Sequence, residues 1–353
     1  MMIHWIGQKL NDIFGPLWAP YVGYILVGLV IITLVVVMAV ISIYLERKIA
    51  AFMQMRLGPM RVGKWGTLQA FADVFKLMLK ESLTPAQADK QLFHIAPYLV
   101  LTVSFLAFAP IAFSPTLQLW DMNIGVLYIT SISSVGVIGI LMAGWSSNNK
   151  YSLLGAMRSG AQIVSYELSA GIAILTIVMM SGSLSVSGII QSQADGWWIF
   201  KGHIPAIIAF VIFAIASTAE LNRAPFDLAE AEQELTAGFH TEYSGMQFAM
   251  FFLAEYTNMF IVSMLGTTLF LGGWMPLHIA NWETFNHLMD KIPPFLWFFG
   301  KVFISLFMII WFRWTFPRLR IDQLLKLEWK YLLPIGMVNL VIGAIVTWLG
   351  WIF

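Results

Sequence analysis

The chain has no cysteine among its 353 residues. That excludes disulfides and thiolate-ligated iron–sulfur clusters on this polypeptide. Charge is scarce as well. Asp, Glu, Lys and Arg make up 11% of the residues and hydrophobic types 59%, against about 25% charged in an ordinary soluble domain. A soluble globular fold is therefore excluded, and the chain reads as an integral membrane protein. The formal net charge of +1 gives no electrostatic footprint for nucleic acid. The histidines are His4, His94, His203, His240, His278 and His287. None sits in the middle of an apolar run, so a haem held between transmembrane histidines is not expected. Also missing are a phosphate-binding glycine loop, a zinc motif and a serine-nucleophile elbow. No internal repeat is evident, nor an inverted pair of Gly/Pro-broken helices of the transporter kind. Residues 1–20, with His4, Trp5, Asp12, Pro16 and Pro20, lack the form of a secretory signal, so the first apolar run should be retained.

What is there is a series of apolar runs. A spanning helix takes ~20 apolar residues. Eight runs qualify, near 21–45, 94–114, 124–145, 160–183, 204–221, 247–271, 295–316 and 331–353. Connections one, three, five and seven hold most of the cations: Arg47 through Lys90, Lys150 with Arg158, Arg223, and Arg318 through Lys330. The positive-inside rule puts those connections in the cytoplasm and both termini outside. The expected fold is an all-α integral membrane protein of about eight transmembrane helices. It forms one domain over 1–353, with a first cytoplasmic loop at 46–93 and an acidic cytoplasmic loop at 222–246. In the first loop, Leu68, Phe71, Val74, Phe75 and Met78 recur at helical spacing, which predicts an amphipathic helix on the cytoplasmic face.

The acids are the informative minority. Glu220, Asp227, Glu230, Glu232, Glu234 and Glu242 crowd into 220–245, with Arg223 as the only Lys or Arg there. Pro225 lacks a backbone donor and disfavours helix at Ala224, so the fifth helix should break near 222–224. A short second helix from Pro225 would then align Asp227, Glu230 and Glu234 on one face. Glu167 and Glu255 lie inside spans, each about two turns, or ~10 Å, from the cytoplasmic end. With Glu220 they make three buried acids in one half of the membrane, and intramembrane acids point to function by default. Taken singly, several of these residues have plainer readings. Glu232 and Glu242 suit a solvated loop, and Arg223 with Asp227 suits an i,i+4 ion pair.

Eight motifs in order carry a family resemblance: ERK at 46–48, QMRLGP at 54–59, the AD…KL…KE pattern at 72–81, SYE at 165–167, ELNRAPFDLAEAEQEL at 220–235, GFHTEYSG at 238–245, FFLAEY at 251–256 and RWTFPRLRIDQLLKLEWKYLLP at 313–334. Nearly the whole chain resembles the membrane subunit of respiratory complex I, NADH:quinone oxidoreductase, that borders the quinone site. The resemblance implies eight tilted helices in a bacterial cytoplasmic (inner) membrane. It places Glu46, Arg47, Arg56 and Asp73 beside a quinone chamber. It assigns Glu167, Glu220, Asp227, Glu230, Glu232, Glu234, Glu242 and Glu255 to an acidic proton path, with Arg223 as counter-charge. Quinone is then a substrate, while NADH, FMN and iron–sulfur clusters belong to partner subunits docked on the cytoplasmic loops. Ala229, Ala231 and Gln233 stand where the family often has proline, glycine and serine, so the local loop shape can differ although the acids remain. The nearest alternative is the homologous subunit of a membrane-bound hydrogenase or formate-linked complex. A stand-alone cation/proton antiporter is disfavoured by the lack of a repeat and the one-sided acids, and a purely structural anchor leaves Glu167 and Glu255 unexplained.

Overall fold

The computed structural model describes residues 2–228, 235–278 and 282–351. It is almost wholly helical. Helix α1 (Met2–Met53) is interrupted at Gly15, whose φ of 74° is outside the helical region. There follow α2 (Gln69–Leu79), α3 (Lys90–Leu106), α4 (Gly125–Ser146), α5 (Lys150–Ser181), α6 (Val186–Gln191), α7 (Trp198–Lys201) and α8 (His203–Glu220). Then come α9 (Gly245–Phe270), α10 (Glu283–Met289), α11 (Pro294–Thr315), α12 (Ile321–Leu327) and α13 (Leu333–Trp348). Seven helical segments among the described residues are long and apolar enough to cross a membrane. The eighth expected run corresponds to α3, with 17 residues. At ~1.5 Å per residue it falls a little short of the ~30 Å hydrocarbon layer.

Two runs end differently from their hydropathy. The 94–114 run stays helical only to Leu106 and then forms a small antiparallel hairpin, Ala112–Ser114 against Leu117–Gln118. Pro110 cannot donate to a helix there. Phe113 instead packs on Phe298 and Phe299 of α11, with ring centroids 5.8 and 6.0 Å away. The last run begins earlier than hydropathy suggests. It joins α12 through a π turn, Glu328–Leu332, to α13. Pro334 has no N–H to return to Lys330, and the widened turn before it absorbs the missing bond.

Helix α5 is the hub. It packs against α4, α8 and α13, while α3 leans on α4 and α9, and α9 reaches α11. In lipid the attraction between helices comes from close packing, which favours small residues at the contact. Gly144 of α4 shows the limit: a Cβ there would lie 2.2 Å from Ala156 Cβ and 2.7 Å from the Ser152 carbonyl of α5. Two of the long helices are capped at their starts by side chains. Asp89 accepts from the backbone N–H of Gln91 and Leu92, and Asn149 from that of Tyr151. Buried Lys301 of α11 donates to the carbonyls of Leu271, Gly273 and Met275 at 2.6, 3.0 and 2.6 Å, just past the end of α9. The amphipathic helix forms as α2, and Leu68, Phe71, Phe75 and Met78 along it are all exposed. The chain entering it is tied back to α1 by Lys48 Nζ, which donates to the Pro59 carbonyl at 2.8 Å.

Gly144→Ala should lower the amount of folded subunit in membranes, because overpacking a rigid helix contact costs about 1–3 kcal/mol. Gly28→Ala, where a Cβ meets nothing within 4 Å, should leave it unchanged. Membrane levels by immunoblot check the pair.

Candidate functional site: a buried ion network beside an acidic cavity

Helix α8 stops at Glu220, as Pro225 requires, and the chain turns through 221–228. Asn222 takes a left-handed φ of 51°, which asparagine tolerates better than most residues. Its Nδ2 donates to Ser159 Oγ at 3.0 Å. Gln162 of α5 donates to the carbonyls of Ala219 and Phe226, both at 2.7 Å, so the broken backbone finds partners inside the protein. The Ala224–Pro225 peptide is cis, and no helix starts at Pro225: residues 224–228 form turns and irregular backbone. The expected alignment of Asp227 with Glu230 and Glu234 on such a helix fails at its first residue. Phe226 is buried against Tyr166, and that packing turns the backbone inward instead. Glu230, Glu232 and Glu234 lie outside the described residues.

The turn delivers Arg223 into the core, where it is 2% exposed. Its Nη1 donates to Glu46 Oε2 at 2.8 Å and its Nε to Glu255 Oε1 at 2.7 Å. The guanidinium also lies over the Tyr256 ring, 4.5 Å from the centroid. Glu46 is itself buried at the end of α1. Tyr256 OH donates to Glu46 Oε2 at 2.7 Å, and Arg313 of α11 donates to Oε1. Four separate segments thus meet in one network of two arginines, two glutamates and a tyrosine. Burial works against the Arg223 charge, yet the Glu255 and Glu46 carboxylates beside it hold its pKa well above the ordinary guanidinium value.

Next to this network lies a cavity of about 520 Å³. Glu167 of α5, Glu220 of α8 and Glu255 of α9 line it, together with Asn222 and Arg313; its walls are mainly aliphatic and aromatic. Ser134 Oγ donates to Glu167, and Ser133 is hydrogen-bonded to Glu220. The three acids expected to be neighbours within the membrane therefore share one chamber. Glu255 belongs to both the chamber and the network.

The other expected residues separate from this centre. Arg47 pairs with Asp73 of α2 at 2.5 Å, on the loop side, and Gln69 Nε2 also donates to Asp73 at 3.3 Å. Arg56 is exposed, with its Nε on Gln54 Oε1 at 2.6 Å. Asp227 pairs with Arg318 at 2.9 Å, so the i,i+4 pair with Arg223 does not form. The reason is direction: Arg223 points to α1 and α9, whereas Asp227 faces the chain after α11. Glu242 accepts from Asn149 Nδ2 at 2.6 Å near the start of α5. Its segment is held by Ser152 Oγ on the Phe239 carbonyl and by Tyr243, whose OH donates to the Phe93 carbonyl. Burial pushes the Tyr243 phenol up to about 12.

Sequence reasoning misses Arg313, Tyr256, Ser134 and Arg318 as members of the site. Arg318 counts there as a cytoplasmic cation and, like Arg313, as part of a motif. Tyr256 adjoins Glu255 in sequence, and that adjacency is the available signal. Arg223→Met should leave Glu255 without its cation and Glu46 with Arg313 alone, and cost about 3–5 kcal/mol, the range for breaking a buried ion pair from one side. Arg223→Lys should restore little, because one ammonium lacks the fork that serves Glu46 and Glu255 together. Thermal unfolding of the solubilised assembly checks both, and wild-type stability in Arg223→Met would remove the network from a structural role.

The family model for NADH dehydrogenase matches residues 25–344. The chain is 54% identical over 353 residues to the H subunit of the NADH-quinone oxidoreductase of Bacteroides thetaiotaomicron, covering 100% of this chain and 99% of that protein. It is 56% identical over 346 residues to the corresponding H subunit of Bacteroides fragilis, covering 98% and 97%. A more distant relative of the same name, from Geobacter sulfurreducens, is 46% identical and covers 95% and 98%. With a family model matching residues 25–344, identities of 54–56% over nearly the full length of both chains, and seven helices of spanning length among the described residues, the chain belongs to the NADH dehydrogenase family, among the H subunits of NADH-quinone oxidoreductase.

Proposed function

We propose that this membrane subunit forms part of the chamber in which quinone is reduced and carries the acidic path that links reduction to proton movement. One observation supports the reading above others: Glu255 both holds Arg223 and lines the acidic cavity. At the other end of the same network, Glu46 directly precedes Arg47, whose partner Asp73 sits on the amphipathic helix. A charge change at the Arg47–Asp73 side would therefore be felt through Glu46, Arg223 and Glu255 by Glu167 and Glu220. Closely spaced acids in low dielectric titrate as a coupled set, so one such change redistributes protons among several of them.

In this reading Glu46, Arg47, Arg56 and Asp73 border the quinone. Glu167, Glu220, Asp227, Glu230, Glu232, Glu234, Glu242 and Glu255 serve the proton path. The quinone tail enters from the bilayer along apolar walls. NADH, FMN and iron–sulfur clusters belong to partner subunits docked on the loops, and other membrane subunits receive the acidic path. The membrane is the bacterial cytoplasmic membrane, with both termini on its outer side. The names of the relatives favour NADH-quinone oxidoreductase over a hydrogenase or formate-linked relative.

Glu220→Gln or Glu234→Gln should cut NADH-driven quinone reduction and proton pumping about tenfold or more, as expected when a proton-transfer group is lost. Electron entry from NADH to an artificial acceptor should be unaffected. Normal turnover and pumping in both variants would refute the path. Arg47→Ala should raise the KM for quinone or lower kcat in an assembled complex; unchanged quinone kinetics would remove Arg47 from the chamber.

A further inference from the structure

One fully buried ionisable side chain, at the junction of α12 and α13, takes no part in either the ion network or the cavity. Glu328, the first residue of the π turn between α12 and α13, is 0% exposed. Its Oε1 accepts from Ser169 Oγ of α5. Its Oε2 is buried with no hydrogen-bond partner among the described residues. The π turn packs on α5 and on its own flanking helices α12 and α13. From α5 the facing polar groups are Ser169 and Tyr166, whose OH is already committed to the Leu324 carbonyl at 3.0 Å. The cations of the same segment, Lys326 and Lys330, are exposed, and neither forms an ion pair with Glu328 among the described residues. From α13 no charged residue is contributed.

We propose that Glu328 is a proton-binding site in the packed interior of the protein, occupied in the intact protein as the neutral carboxylic acid. An ionised carboxylate removed from water needs a cation or several donors, and one serine hydroxyl is a poor substitute for either. Full burial within this chain also denies it a lysine or arginine from another subunit. A proton is the one counter-charge small enough to be accommodated. The site is separate from the cavity acids. Ser169 and Glu167 are two residues apart on α5, so their side chains project roughly 200° from one another around the helix. The helix thus presents Glu167 to the cavity and Ser169 to Glu328. With its proton in place, Glu328 latches the last helix to α5 without an uncompensated charge, and the π turn gives it the room to reach across. This inference does not depend on the quinone or proton-path reading.

Infrared difference spectroscopy on the purified intact oxidoreductase at neutral pH tests it. Wild type minus Glu328→Gln should show the loss of one carbonyl band of a protonated carboxylic acid. Ser169→Ala removes the hydrogen bond to that carbonyl and should move the same band to higher frequency. Loss of carboxylate bands in Glu328→Gln, with the carboxylic-acid region unchanged, would overturn the proposal. If Glu328→Gln does not assemble, Ser169→Ala alone decides: a shifted carboxylic-acid band supports the site and an unshifted one refutes it.

Discussion

The arrangement depends on one constraint: a guanidinium that is almost wholly removed from water must be surrounded by carboxylates. Arg223 is 2% exposed and takes Glu46 from α1 and Glu255 from α9. Glu46 in turn needs Arg313 of α11 and the Tyr256 hydroxyl. Each member is costly to bury alone, so the network is stable only when all four segments are in place. The last turns of α1 and α11, the middle of α9 and the turn after α8 are thereby fixed relative to one another. The acidic cavity, which borrows Glu255 and Arg313 from the network, inherits its shape from that convergence.

A second constraint is the membrane itself, where water cannot satisfy exposed backbone groups. The helix break at 221–225 is possible because Gln162 supplies donors to two carbonyls and Ser159 takes the Asn222 amide. The end of α9 is managed by Lys301, which commits its ammonium to three carbonyls. Residues that look functional from their charge alone can therefore divide into two groups. Lys301 closes a helix end, whereas Glu167 and Glu220 face open volume and have serine hydroxyls as partners.

Much of the architecture is legible in the linear chain. Hydropathy locates α4, α8, α9 and α11 to within about two residues at each end, because a helix in lipid must be apolar for its full length. Pro225 predicts the break, since it acts on its own backbone and its neighbour. The spacing of Leu68, Phe71, Phe75 and Met78 predicts α2. The end of α3 and the start of the last helix escape such reasoning: Phe113 packing on α11 and the π turn before Pro334 are contacts and geometry that hydropathy does not register. The helix anticipated at Pro225 fails for a similar reason, with Phe226 drawn into the core beside Tyr166.

By itself the sequence determined that this is an all-helical membrane protein, which residues are its rare intramembrane acids, and to which family it belongs. Those properties follow from composition, local periodicity and motifs. Only the tertiary structure decided which charges meet. Arg223 passes over Asp227, four residues away, for Glu46, 177 residues away, and Glu46 recruits Arg313 across 267 positions. The same holds for Glu328, whose burial against Ser169, with no ion pair among the described residues, emerges only once the last helix is packed on α5. An ion pair is chosen by which side chains the packed helices bring to about 3 Å in a dry interior, and neither spacing along the chain nor hydropathy carries that distance.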